Sequence, residues 1–590
     1  MKLSLWVKVG LRDWRNYVPL VPTLTHYQRD DLGHDLTAGL VVGMVTIPQA
    51  VAYAFLAGVP PEAGLYACLV PMLLYALFGS SKQLVVGPVA VAALMVAATV
   101  SEYAPRYSVT YMEITSIICV QAGLMLLLLR LSRMGGLVNL LSHPVITGFV
   151  NAAAILIIVS QLPAFTGIDV ERSSQPFQTL TQVLTHLHET QFEVLLFAVT
   201  TLAVLLLFPH ITLFCARLFS HPITNQHPIT KVGPMIVAVG GGLLAWLLGL
   251  HEHLPVVGAI PSGLPQFTIP QLNQAFDLDL WIDLMPAAFI IAVVSYIESY
   301  SIGASLAARK QSRVNSHQEL IALGAANVGA AFTGAYPVAG SFSRSSVNFY
   351  AGGRTQVSSL VCAVVVVFAL LFLTDLFRYL PHAILSAIVM VSVLGLMDLK
   401  NGREHWALHR EDVITEYATL ILVLFMGVEV GIIAGVLLSI AFFIRTSSRP
   451  NITQVGRLGE TEHFRSIKRF DVETVTNVLA LRVDENIYFG NAAQIEDKFL
   501  KRGQRRKGTK HLLMVCSSVN MIDATGLQML QRLNANLAQT GIQFHMSDIK
   551  GTLMPIIEGA DLEQALTGKI FFTADRAMKY FVAELEQQAT

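Results

Sequence analysis

Two apolar segments of this chain are too short to cross a bilayer, and one lies in each half of the sequence. The first begins at Gly87-Pro88-Val89-Ala90, the second at Gly340-Ser341-Phe342-Ser343-Arg344-Ser345. Each follows a polar or glycine-rich break and runs about ten to fifteen residues, where a span needs ~20. A half-helix begins with unpaired backbone N–H groups and a partial positive charge. Two of them aimed at one point make an anion site at the membrane midplane. Arg344, one turn inside the second segment, points the same way.

The remainder of the chain suits that setting. Of its 590 residues 53% are hydrophobic and 14% charged, more apolar surface than a soluble protein of this length needs. Apolar segments near 36–56, 64–79, 88–100, 112–129, 144–163, 193–208, 232–250, 284–307, 318–333, 341–351, 357–375, 381–397, 413–428 and 429–445 predict about fourteen elements. An even number leaves both ends on one side. Arg12, Arg15, Lys82, Arg130, Arg133, Arg217, Lys231, Arg309, Lys310, Arg313, Lys400, Arg403 and Arg410 fall in alternate loops on the N-terminal side. The opposite long loops, near 164–192 and 251–280, carry acids and only Arg172. The positive-inside rule then makes both termini cytoplasmic, for a multi-pass protein of the inner (plasma) membrane. Gln49 precedes Gly87 by 38 residues and Glu298 precedes Gly340 by 42, so the halves share a ground plan. With an odd seven elements each, they enter from opposite sides, as an inverted repeat.

Charge divides the chain again. Residues 451–590 hold 33 of the 80 Asp, Glu, Lys and Arg, the density of a soluble domain. Val478 to Val483, Ile487 to Phe489, His511 to Cys516 and Gln543 to Met546 read as strands, with helices at 491–500 and 525–540, a small α/β domain. The expected layout is a cytoplasmic segment at 1–34, a transporter domain at 35–445, and a linker with a cytoplasmic domain at 446–590. A formal net charge of +0 offers no field for nucleic acid, and five scattered cysteines show no metal-ligand spacing.

Asp35-Leu36-Thr37-Ala38-Gly39, Ile47-Pro48-Gln49-Ala50-Val51-Ala52-Tyr53-Ala54 and Gly58-Val59-Pro60-Pro61 resemble the sulfate permease (SulP) anion-transporter family. So do Asn315-Ser316-His317-Gln318-Glu319-Leu320, Gly324-Ala325-Ala326-Asn327 and the Gly340 to Ser345 run. Asn520-Met521-Ile522-Asp523-Ala524-Thr525-Gly526 looks like the signature loop of a STAS domain. The resemblance implies seven plus seven inverted helices split into a core and a gate, a core that moves like an elevator, and a homodimer.

Ser341, Ser343 and the backbone N–H groups around Gly340, Phe342 and Arg344 are the first candidates for anion ligands. They donate without fixing a salt bridge, so the carrier can release what it binds; the alternative is close helix packing of small residues. Gly87 permits close approach, Pro88 suits a first helical turn, and Val89 and Ala90 then offer their amides. An ionised Arg344 at the membrane's middle is a functional candidate, or it pairs with Glu298. Glu298, inside a long apolar helix, can take up a coupling proton and so offset the anion's charge. Sodium is the alternative coupling ion: in family members that use it, a matching acid holds the ion beside hydroxyls, but here Ile302 follows one turn on. By resemblance Gln49 and Tyr53 line the pocket; otherwise they bond between helices. Thr525 stands where bacterial STAS proteins carry a phosphorylatable Ser, or it caps the following helix.

These readings predict a secondary active transporter of a small inorganic anion, most of all sulfate, by proton-coupled symport. Sodium-coupled uptake of bicarbonate or a dicarboxylate is the alternative, and an anion sensor signalling through the STAS domain is a competitor of another class. No catalytic triad, metal cluster or phosphate loop stands out, so neither an enzyme nor a cofactor is expected.

Overall fold

A computed structural model describes residues 18–133, 142–170, 176–218, 230, 232–267, 278–397, 406, 409–506 and 508–589. Arg12, Arg15, Arg172, Lys231, Lys400 and Arg403 lie outside them, as do residues 1–17 of the expected N-terminal segment. In the first half of the chain the principal helices are α1 (Arg29–Ala57), α2 (Val70–Phe78, after a short helix Pro61–Tyr66), α3 (Ala90–Tyr107), α4 (Tyr111–Leu131), α5 (His143–Thr166), α6 (Phe192–Leu218) and α7 (Gly233–Leu247), with shorter helices at Leu20–Thr25 and Pro176–Thr185. In the second half they are α8 (Leu278–Arg309), α9 (Ser316–Ala331), α10 (Phe342–Tyr350), α11 (Val357–Phe372), α12 (His382–Leu394), α13 (Arg410–Met426) and α14 (Val428–Ser447). Among the described residues, seven helical spans are long and apolar enough to cross a membrane by themselves.

Local chemistry sets the helix ends. Gln28 and Asp31 cap α1 reciprocally, and Gly58 closes it in the left-handed region at φ 76°, which a residue without Cβ adopts freely. Thr110 and Glu113 form the same reciprocal cap on α4. Packing then sorts the helices into two bodies. In the core, α9 lies on α2 and α4, α8 on α3 and α4, and α10 and α11 on α1. In the gate, α12 lies on α5 and α6, α13 on α5, and α7 on α6. α14 joins them where Gly431 and Gly435 face Val423 and Thr419 of α13, so each half contributes four helices to the core and the next three to the gate, the seven-plus-seven arrangement expected.

The first short segment is longer than its hydropathy predicts. The pattern stops near residue 100, yet α3 runs 18 residues to Tyr107. Ser101 and Glu102 read as a break, but Glu102 faces outward while Ala104 stays buried, so the helix continues with one wet side. The second, α10, is nine residues long.

The chain forms two compact units, Met1–Val436 and Leu437–Thr590. The second carries a six-stranded sheet. Its strands are β3 (Ile452–Arg457), β4 (Phe464–Ser466), β5 (Val478–Val483), β6 (His511–Val515), β7 (Gln543–Ser547) and β8 (Ile570–Phe571), in the order β4-β3-β5-β6-β7-β8. β5 to β8 run parallel, with Val478 opposite His511 and His511 opposite Gln543, while β3 is antiparallel to both neighbours. Helices α15 (Ala492–Arg505), α16 (Ala524–Gln539) and α17 (Ala574–Ala589) accompany them. The strand expected at Ile487 to Phe489 is a single bridge, Ile487 to Ile522, because Asp523 and Asn491 take the backbone N–H groups of Phe489 and Tyr488. β3, β4 and β8 alternate too weakly to be read from the sequence.

One polar chain crosses this sheet's core. The Lys569 N–H donates to His545 Nδ1 at 2.9 Å, so the neutral ring carries its proton on Nε2. That Nε2 meets Nδ1 of His511 at 3.2 Å, and His511 Nε2 faces Glu584 of α17 at 3.9 Å.

Candidate functional site

The two half-helices start from one short sheet. Val86–Gly87 (β1) pairs antiparallel with Ala339–Gly340 (β2), Val86 opposite Gly340 and Gly87 opposite Ala339. Antiparallel strands send the helices that follow them in opposite directions, so α3 and α10 leave the pair with their N-termini close together. This is the inversion of the repeat seen at its centre. The Ser341 N–H extends the pairing to the Val85 carbonyl at 3.0 Å. Two serines satisfy the strands' other donors: Ser345 Oγ accepts from the Val85 N–H at 2.9 Å, and Ser299 Oγ, on α8, from the Gly340 N–H at 2.7 Å. Asn327 of α9 holds the approach to β2, accepting from Val338 N–H and donating to its carbonyl.

The helix starts differ. Ser341 is the N-cap of α10, and its Oγ accepts from the Arg344 N–H at 3.5 Å, leaving the hydroxyl proton to donate elsewhere. Val89 is the N-cap of α3 and has no capping side chain, so the first N–H groups, from Ala90 on, have no side-chain partner there. Pro88 was expected in the first turn; it instead precedes the cap, and its free carbonyl is what matters. Arg344, fully buried, donates from Nη2 to that carbonyl at 2.7 Å. A Cβ on Gly87 would lie 3.2 Å from the same Nη2, a tight contact that would push the guanidinium back by a few tenths of an ångström, so the glycine lets it lie this close to β1. Nε and Nη1 of Arg344 make no hydrogen bond. The guanidinium is therefore tied to a backbone carbonyl and not to Glu298, and its charge stands behind both helix starts.

Gln49 and Tyr53 lie one turn apart on α1, 2% and 5% exposed, and Tyr53 shares an apolar cluster with Ala90. Gln49 Nε2 donates to Ser392 Oγ of α12 at 3.3 Å. Ser343 is half-buried and Phe342 exposed. Phe342 and Glu298 line a cavity of about 410 Å³ together with residues 145–150 of α5, 294–302 of α8 and Gly395 to Met397. A second cavity, of about 630 Å³, meets α1 at Ala52 to Gly58, α3 from Leu94 to Ser101, α5 from Leu156 to Ala164, and α12 at His382 to Ser386. α5 meets the first cavity near its start and the second near its end, and α12 begins at the second cavity while the segment just after it lines the first, so the cavities lie toward opposite ends of these helices.

Thr525 belongs to the second compact unit and stands exposed in the first turn of α16. It does not cap that helix. Asp523 does, accepting from Gly526 N–H at 2.7 Å.

Four residues build this site in roles the sequence did not suggest, Ser299 among them, which the sequence offers only as a hydroxyl near Glu298 for a sodium ion. Ser299 and Ser345 complete the strands, Ser392 meets Gln49, and buried Glu319 anchors the segment leading into β1. Ser345 and Glu319 stood inside motifs already noted; for Ser392 the sequence carries no signal.

The sequence profile of the sulfate permease family matches residues 32–419, and that of the STAS domain residues 469–577. "Probable sulfate transporter 4.2" of Arabidopsis thaliana is 32% identical over 549 residues, covering 91% of this chain and 79% of that one. A "probable sulfate transporter" of Mycobacterium tuberculosis is 32% identical over 569 residues, covering 96% and 98%. The murine Solute Carrier 26 family member A9 anion transporter, solved in an inward-facing state, shares the fold at a TM-score of 0.86 and 23% identity, covering 96% of this chain and 94% of that one.

Proposed function

The chain belongs to the sulfate permease family, and on that premise we propose that it is a proton-coupled symporter of a small inorganic oxyanion, with sulfate first. One observation carries the reading. Two helix N-termini meet over paired strands, with the fully buried charge of Arg344 behind them. The N–H groups of Ala90 and the following turn, with the hydroxyls of Ser341 and Ser343, are the donors to the anion. Gly87, Pro88, Val89, Gly340 and Phe342 shape the approach, and Gln49 and Tyr53 close it from α1. Arg344 supplies attraction without contact, so the anion stays exchangeable. Sulfate is put first because the curated relatives named above carry that name.

Glu298 takes the coupling proton. Its serine neighbour supports protons over sodium: Ser299 Oγ already donates to the Ser295 carbonyl at 2.5 Å and accepts from Gly340 N–H, so it has little left for a cation. The core slides against the gate, exposing the strand pair first to one cavity and then to the other. Residues 35–445 form the transporter domain, and 446–590 a linker and a cytoplasmic domain in which Thr525 is open to modification. The protein works as a homodimer in the plasma membrane, with both termini cytoplasmic, and catalyses no covalent reaction.

Labelled sulfate uptake into liposomes containing the purified protein tests this. Saturable uptake driven by an inward proton gradient is the expected result. Flux that follows an inward sodium gradient, with bicarbonate carried in place of sulfate, overturns it.

A further inference from the structure

The Gln49 amide reaches out of the core. Its Nε2 donates to Ser392 Oγ at 3.3 Å, and the Tyr53 side chain, one turn on, neighbours the same hydroxyl. Ser392 stands on α12, which packs on α5 and α6 of the gate. Its own proton goes to the Ile388 carbonyl at 2.8 Å, so toward Gln49 it acts as an acceptor. That fixes which way the amide is turned: nitrogen toward Ser392, with one N–H engaged and one left over. Gln49 Oε1 is buried and makes no hydrogen bond. An amide held this way keeps its second N–H on the Ser392 side and its carbonyl oxygen on the other; turned over, it would set that oxygen on the Ser392 side and repel an anion there.

We propose that Ser392 is a gate-side positioning residue for anion binding, holding the Gln49 amide donor-outward only while the core stands at this height against α12. The proposal rests on the reading of the strand pair as the anion site and of the core as the moving body. A hydrogen bond of 3.3 Å does not survive a slide of more than an ångström or so. Once α1 moves past α12, Gln49 loses its anchor and the amide is free to turn. The site therefore binds its anion more tightly at one membrane face than at the other. The tighter face is the one served by the smaller cavity, which Glu298, Phe342 and the segment Gly395 to Met397 just beyond Ser392 all line.

Ser392→Ala and Ser392→Thr variants of the full-length protein, in right-side-out and inside-out vesicles, test this with labelled sulfate as the probe. The alanine variant is expected to raise the half-saturation concentration about three- to tenfold at one face, the size of one lost hydrogen bond. At the other face the change stays under about twofold, and threonine, which keeps the hydroxyl, restores the asymmetry. A mere packing defect would lower the maximal rate from both faces alike. An equal shift at both faces, or none at either, overturns the role of Ser392 while leaving the anion site standing. Wild-type protein with no saturable anion flux overturns both.

Discussion

Glu319 makes the sharpest test of how the site is held. Its buried carboxyl receives four donors: Tyr75 O–H at 2.8 Å on Oε2, and Ser80 N–H at 2.9 Å, Ser80 Oγ at 2.7 Å and Ser81 N–H at 3.3 Å on Oε1. Ser80 Oγ accepts in turn from the Asn315 N–H that leads into α9. The segment so anchored runs directly into β1. Glu319→Ala strips the donors of buried Tyr75 and Ser81 and of half-buried Ser80 of their acceptor, at about 1 kcal/mol each and so at most about 4 kcal/mol together. Glu319→Gln keeps one carbonyl oxygen for the three donors of Ser80 and Ser81 and loses only the Tyr75 bond, about 1 kcal/mol. Thermal unfolding of the purified full-length protein, with sulfate half-saturation on the same preparations, reads both effects. The alanine variant should unfold several degrees below the glutamine variant and bind sulfate more weakly, because β1 loses its anchor. Equal losses in the two variants, or an alanine variant with wild-type half-saturation, would refute the reasoning.

Three further outcomes follow from the structure. Glu298→Gln should abolish uptake driven by a proton gradient yet leave sulfate–sulfate exchange; an unchanged pH dependence in that variant sinks the coupling role. Arg344→Gln should raise the half-saturation for sulfate by roughly a thousandfold or more, since a charge at about 6–8 Å with an effective dielectric of ~20 is worth about 2–3 kcal/mol per unit of anion charge and sulfate carries two; a wild-type value would remove Arg344 from anion attraction. In the C-terminal domain, burial, then the neighbouring His511 and Lys569, hold the His545 pKa down at about 4. Burial also lowers that of His511, against the opposing pull of Glu584. The unfolded chain takes up a proton near pH 6.5 and the folded domain does not. Stability is therefore complete above about pH 6.5 and falls as pH drops toward 4, by roughly 2–3 kcal/mol for His545. Hydrogen exchange in β6 and β7 of the full-length protein at pH 7 and pH 5 measures this, and His545→Gln should flatten the difference; a slope that persists in the variant assigns it to other groups.

Hydropathy and charge, read along the chain, determined a great deal by themselves: the apolar elements, the one at Phe342 that stops short, the basic loops and the change of composition after Pro450. Those are local properties, since a bilayer selects each segment on its own length and polarity. That helices start just after Gly87 and Gly340 was legible for the same reason, because glycine, proline and serine mark a terminus whatever surrounds it. Their partners were not. Val86 and Gly340 pair from opposite halves of the chain, and Arg344 bonds a carbonyl 256 positions away. A sequence reading offered Arg344 a carboxylate, because complementary charge is visible in residue letters and a bare backbone carbonyl is not. It placed Pro88 inside a helix for its ring, when the fold uses its oxygen. Thr525 looked like a cap because hydroxyls cap helices, but the register of α16 gives that place to Asp523. Ser392 is one serine among many until α12 sets it against Gln49. What tertiary structure alone decided was which buried donor meets which buried acceptor. That choice follows from how helices pack, and packing joins residues that the sequence keeps hundreds of positions apart.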